Sequence, residues 1–223
     1  ACTYCYNGAF YGRQWRPRPA ARVLEELRQL VREHEVEVVY FIDDNFFIDP
    51  PRAWEILRAM PSLGVRYQLQ GMDIQSVDAM SDAELDLLEE TGLQRVTIGV
   101  ETASDRMRRL TGKWGDQASV ERCLRRLAGR RFLVLTSFII GFPFETWEEI
   151  RQTISFALDL QKLGDNFRLP QFYNYTPVQG TALADQLEAC GFSFPKKLDD
   201  WASIAWDHNH LFDDNPEKQR ALD

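Results

Sequence analysis

Residues 132–150 read FLVLTSFII GFPFE TWEEI, and this stretch decides the class of fold. Most residues in its first part have large apolar or β-branched side chains, which are typical of a β-strand. Gly141 and Pro143 then interrupt the run, because glycine and proline favour turns. Thr146 and Glu149 have the spacing of a capping box, which starts a helix by satisfying free backbone donors. An apolar stripe at helical spacing follows: Ile150, Ile154, Ala157 and Leu158. The stretch predicts a strand that turns directly into a helix.

The same pattern of strand and helix recurs along the chain. Further strand-like runs occupy residues 36–42, 65–70, 95–100 and 169–175, and helical periodicity fills the intervals. A spacing of roughly 30 residues is the size of a βαβ unit. Such units form a parallel sheet with helices outside it, either open or closed into a barrel. Because the runs are nearly continuous in hydrophobicity, we expect both faces of the strands to be covered.

Size and composition limit the classes of protein that remain. A chain of 223 residues with 44% apolar and 27% charged residues is expected to form one domain, 1–192, with a C-terminal extension, 193–223. The formal net charge of −8 argues against nucleic acid as a partner, since sequence-independent binding needs cations that neutralise phosphates. No apolar run is long enough to span a membrane, and no secretion signal is visible. The sequence therefore predicts a cytoplasmic α/β protein.

Polar residues follow the ends of the predicted strands. In parallel α/β folds the ligand lies at the carboxyl ends of the strands, where the following loops meet. These positions hold carboxylates, amides or an accessible backbone: Asp43, Asp44 and Asn45 after the first run, Gln70 after the second, Glu101 after the third and Gly141 after the fourth. This ring of hydrogen-bonding groups predicts a site for a small polar ligand.

The four cysteines divide into a close pair and two isolated residues. Cys123 and Cys190 continue apolar helical stripes, so we expect both to be buried core thiols. A disulfide framework is not expected in a chain of this size without a secretion signal. Cys2 and Cys5 form a Cys-x-x-Cys pair, which by itself fits half of a zinc site, a redox dithiol or an anchor for an iron–sulfur cluster. The pair alone leaves these three alternatives open.

Five motifs, in order along the chain, together resemble one enzyme family. CTYCYN at residues 2–7 resembles the back half of the Cys-x-x-x-Cys-x-x-Cys signature of radical S-adenosylmethionine (SAM) enzymes. The later motifs resemble the ends of successive strands in that family: FIDDNF at 41–46, IGVET at 98–102, SFIIGFP at 137–143 and YTPVQGT at 175–181. The resemblance covers residues 1–192.

The resemblance implies a partial (β/α)6 barrel of the TIM type that lacks its first strand. In the family, that strand and the first cysteine of the signature precede CTYC, so we expect both to lie before Ala1 and this chain alone to be inactive. Cys2 and Cys5 would then be two of the three thiolate ligands of a [4Fe–4S] cluster. The implied SAM-binding residues are Tyr4 and Gly141 near the adenine, Asp43, Asp44 and Asn45 at the methionyl ammonium, Glu101 at the ribose hydroxyls or the amine, and Gln70.

The resemblance also implies an activity. In the family, one electron breaks the sulfonium bond of SAM and yields a 5′-deoxyadenosyl radical, and we expect a reductant of the flavodoxin or ferredoxin type to supply it. CYN and DDNF most resemble the subgroup with an upstream cobalamin-binding domain, which implies methylation or another C–H modification. A methylthiotransferase-like activity is the alternative inside the family. The alternative from another class is a catalytically silent barrel fragment whose cysteine pair is free or binds zinc. The sequence assigns neither the substrate nor a catalytic residue.

Overall fold

The sheet is parallel throughout, and its strand order follows the sequence. The computed structural model describes residues 2–12 and 14–203. The strands are β1 (Val38–Phe41), β2 (Arg66–Met72), β3 (Leu93–Glu101), β4 (Leu133–Ile140) and β5 (Gln171–Asn174), and each pairs with the next in that order. The sheet curls into an open half-barrel. The predicted α/β fold of the partial-barrel type is therefore confirmed.

Helices connect successive strands and cover one face of the sheet. In chain order they are α1 (Tyr6–Phe10), α2 (Ala20–His34), α3 (Pro50–Leu63), α4 (Ile74–Ala79), α5 (Asp82–Glu90), α6 (Asp105–Thr111), α7 (Gln117–Arg125), α8 (Trp147–Leu160) and α9 (Ala182–Ala189). Each connection between neighbouring strands contains at least one of them, as a crossover between parallel strands requires. Within the described ranges, none of the helices has the length and apolar character needed to cross a membrane.

Local sequence signals set the starts of several helices. The predicted capping box of Thr146 and Glu149 is present at α8, and Ser81 and Glu84 form a second one at α5. Asp73 caps α4 by accepting from a backbone N–H of its first turn. The strands also lie where the sequence predicts them, and their ends differ by no more than two residues from the predicted ones.

Helices cover only one of the two faces of the sheet. Along β3 and β4, buried side chains alternate with half-exposed ones. The buried set packs against the helices and includes Val96, Ile98, Val134 and Phe138. The other set, which includes Thr97 and Ser137, lines the concave face together with Gln70 of β2 and with Gln171 and Tyr173 of β5. The expectation that both faces are covered is wrong, because the concave face of a half-barrel borders a cavity and not a second layer of helices.

The two isolated cysteines have opposite environments. Cys123 is buried on α7, as predicted. Cys190 is exposed, so the prediction of a buried thiol is wrong there. The reason is that α9 ends at Ala189 and Cys190 is its C-cap residue, so the apolar stripe of the helix does not reach the thiol.

The predicted C-terminal extension is described only in its first part. Phe194 is buried and its ring stacks on Trp201, with 5.7 Å between the ring centroids. A 3-10 helix spans Leu198–Ser203. Residues 204–223 lie outside the described residues, so the division into 1–192 and 193–223 stays a prediction.

One carboxylate joins α6 to α8. Glu149 accepts hydrogen bonds from Arg106 Nη2 at 2.6 Å, from Ser104 Oγ at 2.6 Å and from Thr146 N at 2.9 Å. Burial alone would raise the pKa of Glu149, but these hydrogen bonds outweigh burial and hold that pKa at about 2. The charged form of Glu149 therefore stabilises the fold.

We expect Glu149→Gln to lower the free energy of unfolding by about 1–2 kcal/mol at neutral pH. Because the pKa in the folded state lies below the ordinary value of 4.5, the advantage of the wild type is fully present above that value and is lost as the pH falls toward 2. Urea unfolding of both proteins across this pH range measures the difference. Glu148→Gln, an exposed neighbour on α8, is the matched control. A difference that stays constant with pH would contradict the assignment.

Candidate cofactor site

The backbone of the cysteine pair is fixed between two helices. Thr3 lies between the cysteines, and its N–H donates to the Thr111 carbonyl at 2.9 Å. Its hydroxyl donates to the Leu110 carbonyl at 3.0 Å, so both bonds reach the C-terminal end of α6. The Thr3 carbonyl accepts from Leu183 N, in the first turn of α9, at 3.0 Å. The positions of Cys2 and Cys5 are therefore set by α6 and α9.

Aromatic rings connect the cysteine loop to the ends of β4 and β5. The ring centroids of Tyr4 and Phe142 are 5.3 Å apart, and those of Phe142 and Tyr175 are also 5.3 Å apart. Phe142 and Tyr175 are buried. Burial raises the pKa of Tyr4, and nearby Glu101 and the two thiols of the cysteine pair raise it further. The loop thus places Tyr4 and the thiols close to Glu101.

The three polar residues that follow β1 line one groove together, but their hydrogen bonds differ. Asp44 faces the cysteine loop, and its Oδ2 accepts from Asn7 Nδ2 at 2.8 Å. Asn45 caps the next turn, and its Nδ2 donates to Asp73 Oδ2 at 3.2 Å. Asp43 lines outer grooves on the side of residues 14–18. Of the three, only Asp44 also lines the concave cavity.

An ion pair stands at the end of β3. Lys113 Nζ lies 3.3 Å from Glu101 Oε1, and each side chain is only 13% exposed. Glu101 has a φ of +71°, a left-handed conformation that is uncommon outside glycine. Lys113 was not predicted as a site residue, because all of α6 lies between it and Glu101 in the sequence. The signal that could have found it is Gly112, the left-handed cap that ends α6 and starts the loop back to the site.

One cavity collects several of the predicted residues. It has a volume of about 310 Å³ and is lined by Asp44, Gln70, Gly71, Met72, Asp73, Thr97, Gly99, Glu101, Lys113, Ser137, Gln171 and Tyr173. Gly71 is required there, since a Cβ at this position would lie 2.0 Å from the Asp44 carbonyl oxygen. The predicted residues Asp44, Gln70 and Glu101 therefore share one site.

A buried carboxylate shapes the turn after β4. Gly141 has a φ of +76°, and its N–H donates to Glu145 Oε2 at 2.7 Å. Phe142 N donates to the same oxygen at 3.1 Å. Glu145 is 1% exposed, and its role was not predicted from the sequence. Gly141 is not among the residues that line the cavity; in this structure its turn carries the Phe142 ring that packs on Tyr4.

The arrangement suits a zwitterionic ligand beside a thiol-bound metal centre. Asp44 and Glu101 can accept from an ammonium or from hydroxyls, and Lys113 can pair with a carboxylate. Burial raises the pKa of the Cys5 thiol, and the nearby Asp44 carboxylate raises it further, while Lys113 opposes the shift. The thiol therefore lies near Asp44 and Lys113, two of the charged groups of the cavity. Two soft thiol donors fit iron–sulfur ligation. Among residues 2–12 and 14–203, no group of three or more His, Cys, Asp or Glu could hold a metal ion.

Comparison with known proteins identifies relatives. A family model described as the radical SAM superfamily matches residues 1–157. The uncharacterized methyltransferase PH0819 of Pyrococcus horikoshii is 32% identical over 188 residues, which cover 82% of this chain and 38% of that protein. The cytidylyl-2-hydroxyethylphosphonate methyltransferase of Streptomyces wedmorensis is 27% identical over 88% of this chain and 37% of that protein. The chain thus spans less than two fifths of the length of these relatives.

Solved structures share the fold. The radical SAM methyltransferase TsrM of Kitasatospora setae, with cobalamin and a [4Fe–4S] cluster bound, superposes with a TM-score of 0.68 at 18% identity, over 85% of this chain and 35% of that one. The cobalamin-dependent SAM radical enzyme OxsB, with aqua-cobalamin and SAM bound, gives a TM-score of 0.66 at 15% identity, over 85% and 33%. At these identities the likeness shows the fold alone.

We expect Glu145→Ala to lower the free energy of unfolding by about 2–4 kcal/mol, because it leaves two buried N–H groups without an acceptor. Glu145→Gln keeps one oxygen at the same place and is the matched variant, with a smaller expected loss. Urea unfolding of the three proteins at neutral pH measures the difference. Equal stabilities of the Ala and Gln variants would show that the carboxylate oxygen does not hold the turn.

Proposed function

The chain belongs to the radical SAM superfamily, and on this basis we propose that it forms the barrel that binds a [4Fe–4S] cluster and SAM in a larger enzyme. One observation carries the proposal: Asp44, which accepts a hydrogen bond from Asn7 of the cysteine loop, lines the same cavity as the Glu101–Lys113 pair at the carboxyl edge of a parallel half-barrel. When bound, the cluster supplies the electron that cleaves SAM and yields a 5′-deoxyadenosyl radical.

Cys2 and Cys5 are proposed as two of the three cluster ligands. Thiolates are the donors that iron–sulfur clusters use, and these two thiols are half-buried on a loop held at Thr3. The third thiolate is proposed to come from another part of the whole protein. Tyr4, whose ring packs on Phe142, is proposed to lie beside the adenine of SAM.

The residues of the cavity are proposed to orient SAM by charge. Lys113 would hold the methionyl carboxylate, and Asp44 and Glu101 would accept from the ammonium or the ribose hydroxyls. Gln70 lines the same cavity and can bond to either. The backbone of Gly141 is proposed to contact the adenine. Asp43 and Asn45 are proposed to act only by shaping the turn that carries Asp44.

The reaction is proposed to be methylation or another C–H modification. The two relatives compared above are named methyltransferases, and the two solved structures compared above contain cobalamin. Cobalamin would bind to a part of the whole protein outside this chain, and a reductant of the flavodoxin or ferredoxin type would deliver the electron. The substrate would enter the concave side, where the walls are polar.

Anaerobic reconstitution of the whole enzyme with iron and sulfide tests the proposal. We expect an iron–sulfur absorption spectrum, and we expect 5′-deoxyadenosine from SAM on reduction. Cys2→Ser and Cys5→Ser should each abolish both, whereas Cys190→Ser, which changes an exposed thiol outside the site, should change neither. Bound zinc without iron would favour the silent barrel with a zinc-binding cysteine pair and would refute the proposal. Sulfur transfer to the substrate, in place of methylation, would select the methylthiotransferase alternative.

We expect Lys113→Met to weaken SAM binding roughly ten- to a hundredfold, because a hydrogen bond to a charged group contributes about 1.5–3 kcal/mol. Isothermal titration of the reconstituted enzyme with SAM measures the dissociation constant. Lys162→Met is the control, since Lys162 pairs with Asp159 on the exposed end of α8 and lies outside the cavity. A dissociation constant within twofold of the wild type would remove Lys113 from the SAM site.

A further inference from the structure

A buried arginine lies directly behind the Glu101–Lys113 pair. Arg108, on α6, is 1% exposed. It is the largest of the fully buried side chains among the described residues. Burial lowers its pKa, since the charged form is taken out of water. A buried charge is costly unless its hydrogen-bonding groups are satisfied. The partners of Arg108 therefore show what it contributes to the fold.

The guanidinium donates to four backbone carbonyls. Nη1 donates to the carbonyls of Val100 and Thr102, each at 2.9 Å. Nε donates to the Gly115 carbonyl at 2.9 Å, and Nη2 donates to the Trp114 carbonyl. An apolar side chain of similar volume would fill the same space but would leave these carbonyls without this donor. The four acceptors belong to two separate segments, the end of β3 and the loop after α6, with the whole of α6 between them in the sequence.

These carbonyls flank the two charged residues of the site. Val100 and Thr102 are the neighbours of Glu101. Arg108 Nη1 therefore holds the backbone on both sides of Glu101, which has the left-handed conformation. Trp114 and Gly115 follow Lys113 directly. The Lys113 N–H donates to the Arg108 carbonyl at 2.9 Å, so the backbone of Arg108 also holds the loop that carries Lys113. A single planar group therefore sets the backbone of both members of the ion pair.

We propose that Arg108 is a positioning residue that sets the geometry of Glu101 and Lys113 for SAM. The proposal rests on the proposed function only for the identity of the ligand, since the clamp itself is a feature of this chain. Lysine cannot replace it, because an ammonium has three donors on one nitrogen and cannot reach two separated pairs of carbonyls. Arg108 acts through the backbone and does not line the cavity.

The first test needs no cofactor. Hydrogen exchange of the chain should be about tenfold faster at residues 113–117 in Arg108→Met than in the wild type, since the loop loses two of its anchors. Arg109→Met is the matched control, because Arg109 is exposed on the same helix. Unchanged exchange in Arg108→Met would overturn the proposal.

The second test separates positioning from stability. Arg108→Lys retains a positive charge, and its dissociation constant for SAM in the reconstituted enzyme should rise about tenfold while its iron content stays that of the wild type. Binding is measured well below the unfolding temperature of each variant, where a purely structural role would leave affinity unchanged. Arg109→Met should bind SAM as the wild type does. Wild-type affinity in Arg108→Lys would overturn the proposal.

A double-mutant cycle shows whether Arg108 acts through Lys113. In a Lys113→Met background, the change Arg108→Lys should weaken SAM binding by less than about threefold, because most of its effect has already been removed. A full tenfold loss in that background would contradict action through Lys113. If the wild type itself binds no SAM, the proposed function fails, and the exchange experiment alone then decides whether the clamp exists.

Discussion

Buried backbone groups need hydrogen-bonding partners, and this requirement shapes the carboxyl edge of the sheet. Glu101, at the end of β3, and Gly141, directly after β4, both have left-handed backbone conformations, and the chain turns away from the sheet at each of them. Arg108 supplies donors to the carbonyls of the first turn, and Glu145 supplies an acceptor to the N–H groups of the second. The geometry of the cavity therefore depends on two buried side chains that do not line it.

The parts of the fold that follow from local patterns could be predicted from the sequence. Strand positions follow from hydrophobic runs, and the starts of α5 and α8 follow from capping boxes whose partners are three residues apart. Asp44, Gln70 and Glu101 could be placed together because the ends of parallel strands meet at one edge. Each of these inferences uses a rule that acts within one element or between adjacent strands.

The rest depends on contacts that the sequence pattern does not encode. Arg108 and Glu145 bond to backbone atoms, which every residue carries, so their partners leave no signature in the sequence. Lys113 reaches Glu101 only because the loop after α6 turns back to β3. The polar concave face was missed for a related reason: the apolar residues of β4 mask an alternation that becomes visible only when the helices cover one side. Asp43, Asp44 and Asn45 line one groove, but only Asp44 also lines the concave cavity, and the shared motif does not show this difference.

The proposed function depends above all on iron that the cysteine pair holds beside the cavity of Glu101 and Lys113. Anomalous diffraction at the iron absorption edge, from anaerobic crystals of the reconstituted whole enzyme, tests it most directly. We expect an iron peak within bonding distance of the sulfurs of Cys2 and Cys5, about 2.3 Å as for metal–thiolate bonds, on the side that faces Glu101. An iron peak elsewhere, or an anomalous signal at these sulfurs that appears only at the zinc edge, would contradict it.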